Sequence, residues 1–185
     1  METTTIPAAR YSRGAIVLHW LVAVLIMLNF AAAWVSEDMS KPDRAMIMGY
    51  HKAIGITILL LTLLMIVWRV AHRPPALADT LKAWEAALAR VTHAAFYFLL
   101  LAIPLAGWAM VSAFGKGKGV SIFGLFTMPA LPVAHDKPTA EMFYEMHEVL
   151  ATLMLVLFVL HVVGALKHHF IDKDGTMRRV VPWIS

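Results

Sequence analysis

The chain has 185 residues, 60% of them hydrophobic and only 15% charged, with a net charge of +4. Soluble domains of ordinary composition carry far more charge, so the chain reads as an integral membrane protein forming one domain over 1–185. It has no cysteine, which excludes disulfides, iron–sulfur clusters and covalently attached c-type haem. It also lacks the glycine loops of nucleotide sites and the basic runs with interleaved aromatics that suit nucleic acid.

Four apolar segments are each long enough to cross about 30 Å of hydrocarbon as a helix, and only helices or closed barrels satisfy the backbone in lipid. The first covers about 14–35 and follows Arg10 and Arg13. It is too long for a signal peptide and lacks a small-residue cleavage site, so it is expected to be retained. A short polar loop, SEDMSKPDR, leads to the second segment, about 46–71, which two prolines then terminate. Residues 79–90 place Leu81, Trp84 and Leu88 on one side, the pattern of a short amphipathic helix on the membrane surface. The third segment covers about 91–114. A long connection, 115–145, combines GKGKG, SIFGLFTMP and LPVAHDKP; its apolar content predicts packing on the outer end of the bundle. The fourth segment is 146–166. The expected architecture is an all-α membrane bundle of four transmembrane helices.

Ten of the sixteen Lys and Arg flank one side of this arrangement, and Lys41, Arg44, Lys52, Lys116, Lys118 and Lys137 lie on the other. The excess predicts a multi-pass protein with both termini in the cytoplasm.

Nine histidines are the chemical excess of this sequence. His147 and His161 stand fourteen residues apart on one helix, a spacing of about 21 Å with a phase difference of about 40°, so they leave one face near opposite edges of the membrane. A lone histidine at a helix end is often only an interfacial polar residue, but ionisable groups facing the inside of a membrane bundle are expensive and usually functional. The topology supplies partners, placing His51 at the outer level with His147 and His19 at the inner level with His161. Two non-covalent bis-histidine b-type haems, one above the other, satisfy all four. His93 also sits at the inner level and competes with His19. Small residues follow each of the four preferred histidines by three or four positions (Ala23, Gly55, Ala151, Gly164), leaving room for a porphyrin, whereas Phe96 and Tyr97 follow His93. His72, His135, His168 and His169 lie in loops or at ends, as solvated groups do. The twelve methionines read as lipid-facing or core-filling.

With these residues in place, the chain resembles the prokaryotic cytochrome b561 family over nearly its whole length. The resemblance is carried by YSRGAIVLHW around His19, GYHKAIGI around His51, THAAFYFLLLAIPLAGW, FGLFTMP, and MHEVLATLMLVLFVLH followed by KHHFIDKDGTMRRVVP. The family's axial histidines fall on His19, His51, His147 and His161. Within the family it looks most like the superoxide oxidase branch, which implies a bacterial inner-membrane superoxide:ubiquinone oxidoreductase with ubiquinone as acceptor. In that reading Lys52, Lys116, Lys118 and Lys137 would steer the anion, with Glu141, Glu145 and Glu148 nearby favouring plain solvation as strongly. Ser12, Arg13 and His168 would contact the quinone or deliver its protons. The other function such a chain could serve is a cytochrome b subunit linking the quinone pool to a partner dehydrogenase or hydrogenase. The donor at the outer face is then a periplasmic electron carrier instead of superoxide.

Overall fold

The computed structural model describes residues 10–76 and 82–181. Four long helices, α1 (Arg13–Val35), α2 (Lys41–Ala71), α3 (Ala83–Phe114) and α4 (Lys137–Lys167), are each long and apolar enough to span a membrane. The protein is a multi-pass four-helix membrane bundle. The helices α3 and α4 pack together most extensively, followed by α1 on α2 and α2 on α3. Their shared core joins Val22 and Ile26 of α1, Ile58 of α2, Leu99 and Leu100 of α3 and Met154 of α4.

The helix starts are set by local chemistry. Side chains of Ser12, Ser40 and Asp136 accept hydrogen bonds from the amides of Ala15, Asp43 and Thr139, satisfying donors that the first turn leaves free. Pro42 and Pro138 sit in the first turn of α2 and α4, where their missing N–H costs nothing. Hence α2 and α4 begin well before the apolar stretches they contain. The same effect corrects the expected surface helix at 79–90: from Ala83 onward these residues are the first turns of α3 itself. The expectation read 79–90 as a separate amphipathic helix and began the apolar span at Val91, yet no proline or glycine interrupts 83–103, so the helix continues out of the apolar layer. Residues 79–81 of that expectation lie outside the described residues.

Inside the bundle, hydroxyls bond back to their own helix. Thr62 donates to the Ile58 carbonyl at 2.7 Å and Ser112 to that of Trp108 at 2.8 Å. This is how polar groups survive where lipid offers no partners.

The long third connection does pack on the end of the bundle, and it contains an element the sequence did not announce. Strands β1 (Val120–Ile122) and β2 (Phe126–Met128) form an antiparallel hairpin. Its turn puts Phe123 (φ 51°) and Gly124 (φ 75°) in the left-handed region, as tight hairpins require. Val120 and Ile122 are buried against Ala53 and Ile56 of α2, with Trp108 and Val111 of α3 alongside. The Trp108 indole donates to the Pro129 carbonyl at 3.0 Å, and the Leu131 amide donates to the Ser112 hydroxyl at 2.9 Å. At the opposite end, towards the two termini, the start of α1 meets the segment around Val180: the Trp20 indole donates to the Val180 carbonyl at 2.9 Å, and Val181 is buried. The bundle thus has a hairpin end and a termini end.

Candidate functional site

At the hairpin end, α2 and α4 bring His51 and His147 together with ring centres 6.1 Å apart and planes at 71°. Each ring is oriented by the backbone of a different helix. The Nδ1 of His51 meets the Asn29 carbonyl of α1 at 3.2 Å, and that of His147 meets the Ile103 carbonyl of α3 at 2.9 Å. A carbonyl can only accept, so each Nδ1 carries the hydrogen and each Nε2 keeps its lone pair. That is the form in which imidazole binds a metal.

At the termini end, α1 and α4 bring His19 and His161 to 6.5 Å with planes at 59°. His93 of α3 stands 6.2 Å from the same His161 ring. Three histidines therefore converge where the sequence expected two, with His93 as the competitor it foresaw. His19 and His161 are half-buried, whereas His93 is exposed. Phe96, one turn beyond His93, sets its edge against His161 at 5.2 Å. Tyr97 faces Arg69, whose guanidinium lies 5.8 Å from the ring centre. The Nδ1 of His19 is buried without a hydrogen-bond partner.

The spacing can be tested against a haem. An imidazole nitrogen sits about 2 Å from the metal it binds, and its ring centre lies roughly 1 Å further on. Two imidazoles on one iron therefore stand roughly 6 Å apart centre to centre, matching 6.1 and 6.5 Å. Small residues leave space beside them. A Cβ built on Gly164 meets nothing within 4 Å, and one on Gly55 meets only the Asn29 amide nitrogen at 3.9 Å. The donor sets fit two bis-imidazole haems, one at each end.

The remaining expected residues are more dispersed. Ser12 accepts hydrogen bonds from the Ala15 amide and, at 2.9 Å, from the Trp68 indole, so only its O–H remains to donate. Arg13 is exposed. Among the described residues, no hydrogen bond or ring contact joins either to His168. The Nδ1 of His168 lies 2.7 Å from Asp174 Oδ2 and 3.2 Å from Asp172 Oδ2, while Lys167 bridges Asp172 at 2.5 Å and Glu85 at 3.3 Å. Burial alone would raise the Asp174 carboxyl, but hydrogen bonds from the Thr176 amide and His168 hold it below the usual carboxylate range. The sequence reading missed this acid–base cluster. The signal was present in KHHFIDKDG, whose two aspartates follow His168 by four and six positions.

The four lysines all lie at the hairpin end. Lys116 and Lys118 are exposed in the turn after α3, and Lys52 is half-buried next to His51. Lys137 pairs with Glu141 at 3.2 Å on the surface of α4, so part of its charge is offset.

Comparison with known proteins follows the same lines. A family model described as prokaryotic cytochrome b561 matches residues 10–183. Cytochrome b561 homolog 2 of Escherichia coli (strain K12) is 35% identical over 187 residues, covering 98% of this chain and 95% of the relative. Cytochrome b561 homolog 1 of the same organism is 28% identical over 177 residues, covering 94% and 97%. A Yersinia pestis protein named probable superoxide oxidase CybB is 27% identical over 173 residues, covering 94% and 96%.

Proposed function

We propose that this chain, which belongs to the prokaryotic cytochrome b561 family, is a dihaem superoxide:ubiquinone oxidoreductase of the bacterial inner membrane. The family consists of membrane electron-transfer cytochromes that bind b-type haem. The observation that carries the reading is the pair of imidazole pairs, 6.1 Å apart at one end of the bundle and 6.5 Å at the other. His51 and His147 would hold one haem, and His19 and His161 the other. Held between two imidazoles, each haem would supply one-electron exchange rather than oxygen binding.

The chain's own residues supply the rest. Val120, Ile122 and Trp108 cover the flank of α2 near His51, which limits water at that level. Lys52, Lys116 and Lys118 raise the local concentration of a small anion. Two superoxide anions each give up one electron and leave as dioxygen; ubiquinone takes the two electrons with two protons to become quinol. The protons belong to the termini end. There His168, held through Nδ1 by Asp174, would in its doubly protonated form donate Nε2–H to a quinone carbonyl, and Ser12 and Arg13 offer further donors. The excess of Lys and Arg around the termini supports a cytoplasmic location for that end. The name of the Yersinia pestis relative supports superoxide as the donor.

The test is direct. Detergent-purified protein mixed with superoxide and ubiquinone should form quinol catalytically, and should contain two low-spin b-type haems per chain. Rapid quinol oxidation with no response to superoxide would overturn the assignment in favour of a subunit serving a partner dehydrogenase or hydrogenase.

A further inference from the structure

Gly107 lies inside α3, about two turns before its end, where no turn or left-handed backbone calls for glycine. Glycine is the poorest helix former after proline, so the position needs another explanation. A Cβ built there would stand 3.0 Å from His147 Nδ1 and 3.1 Å from its Cε1. These are the atom that makes the hydrogen bond to Ile103, at 2.9 Å, and its neighbour in the ring. The bond donor and the bare Cα are thus brought together by the same close approach of α4 to α3, since Ile103 and Gly107 are one helical turn apart.

We propose that Gly107 is a positioning residue for His147: its missing side chain lets the imidazole lie against α3 with Nδ1–H on the Ile103 carbonyl, which aims Nε2 at His51. This inference rests on the reading of His51 and His147 as axial ligands. The hydrogen bond does more than orient the ring. An imidazole that donates Nδ1–H to a carbonyl is a stronger electron donor through Nε2 and favours the oxidised metal. At the hairpin end both rings have such an acceptor. At the termini end the His19 Nδ1 has none. Gly107 therefore helps to hold the hairpin-end centre at a lower reduction potential than a freely placed imidazole would give.

The test uses the full chain purified with its haem, with Gly107→Ala and Gly107→Val as a graded pair. Redox titration, haem per chain and the low-spin fraction are read for each. In G107A both haems should remain, with one midpoint potential raised and the other as in the parent. In G107V that shift should grow, or that haem alone should be lost. The unaffected haem reports that the bundle has folded. Combining G107A with His19→Ala, which removes the termini-end ligand, should leave a single haem at the raised potential. Unchanged potentials in both variants, or equal shifts of both haems, would overturn the proposal. His147→Ala separates the two levels of inference: if it removes no haem, the ligand assignment fails; if it removes one while the Gly107 variants are silent, only the positioning role fails.

Discussion

His19 and His93 offer the sharpest test of the haem assignment, because both rings approach His161 closely, at 6.5 and 6.2 Å. Distance alone does not choose between them; their surroundings do. His93 is exposed, and Phe96 on its own helix is wedged against His161 at 5.2 Å, so a flat macrocycle between His93 and His161 would collide with that phenyl ring. His19 is followed by Ala23, and Gly164 beside His161 faces open space. On the proposed assignment, replacing His19 with alanine should take haem from two per chain to one, halving the reduced b-type absorbance. Replacing His93 with alanine removes a few heavy atoms from a half-open site, at a cost of about 1–2 kcal/mol in stability, and should leave two haems. Pyridine haemochrome content per chain, measured on both variants after the same purification, is the assay. One haem in H93A with two in H19A would refute the reasoning and move the inner ligand to α3.

Other expected outcomes follow from individual contacts. Ser112→Ala strands the part-buried Leu131 amide, which should cost about 1 kcal/mol and lower the melting temperature in detergent without changing haem per chain. Gly14→Ala drives a methyl into the Trp68 indole and should lower the melting temperature in detergent; Trp68→Phe, which loses the hydrogen bond to Ser12 and part of the ring stacked on His72, should cost more than the roughly 1 kcal/mol of the hydrogen bond alone. The Asp174 carboxyl is held below its ordinary range in the folded chain, so its contribution is complete at neutral pH, where both states are ionised. It falls away as pH drops through about 4 and below, where the unfolded chain takes up the proton first. Melting curves from pH 7 to 3 should show this loss in the parent and a flatter profile in Asp174→Asn. Glu141→Gln breaks an exposed ion pair with Lys137 and should change stability by less than about 0.5 kcal/mol.

Much of the fold was legible because lipid imposes a simple rule: the four apolar segments had to be helices, and helical geometry then fixed which histidines share a level. That reasoning needs only rise and phase, and it pairs the rings that stand close together. The helix starts were less legible. Charged residues such as Lys41, Glu85 and Lys137 mark the edge of the apolar layer, but capping by Ser40 and Asp136 and the prolines after them let α2 and α4 form outside it. The hairpin escaped notice because its turn uses Phe123 at positive φ, where local propensity would ask for Asn or Gly. The orientation of His147 was beyond reach for a different reason. Its acceptor is a backbone carbonyl on another helix, and a carbonyl leaves no mark in the residue type that carries it.

One helix, α4, supplies a histidine to both levels, and this makes it a ruler marked in angle as well as length. Adding a single residue between His147 and His161 would lengthen the helix by only about 1.5 Å but swing one imidazole about 100° around the axis relative to the other. Adding seven would restore the phase to within about 20° while pushing the levels roughly 10 Å further apart. The spacing of the two histidine levels can thus drift with the thickness of the host membrane, whereas their shared bearing cannot. Over evolutionary time α4 should accept substitutions freely and insertions only in whole pairs of turns.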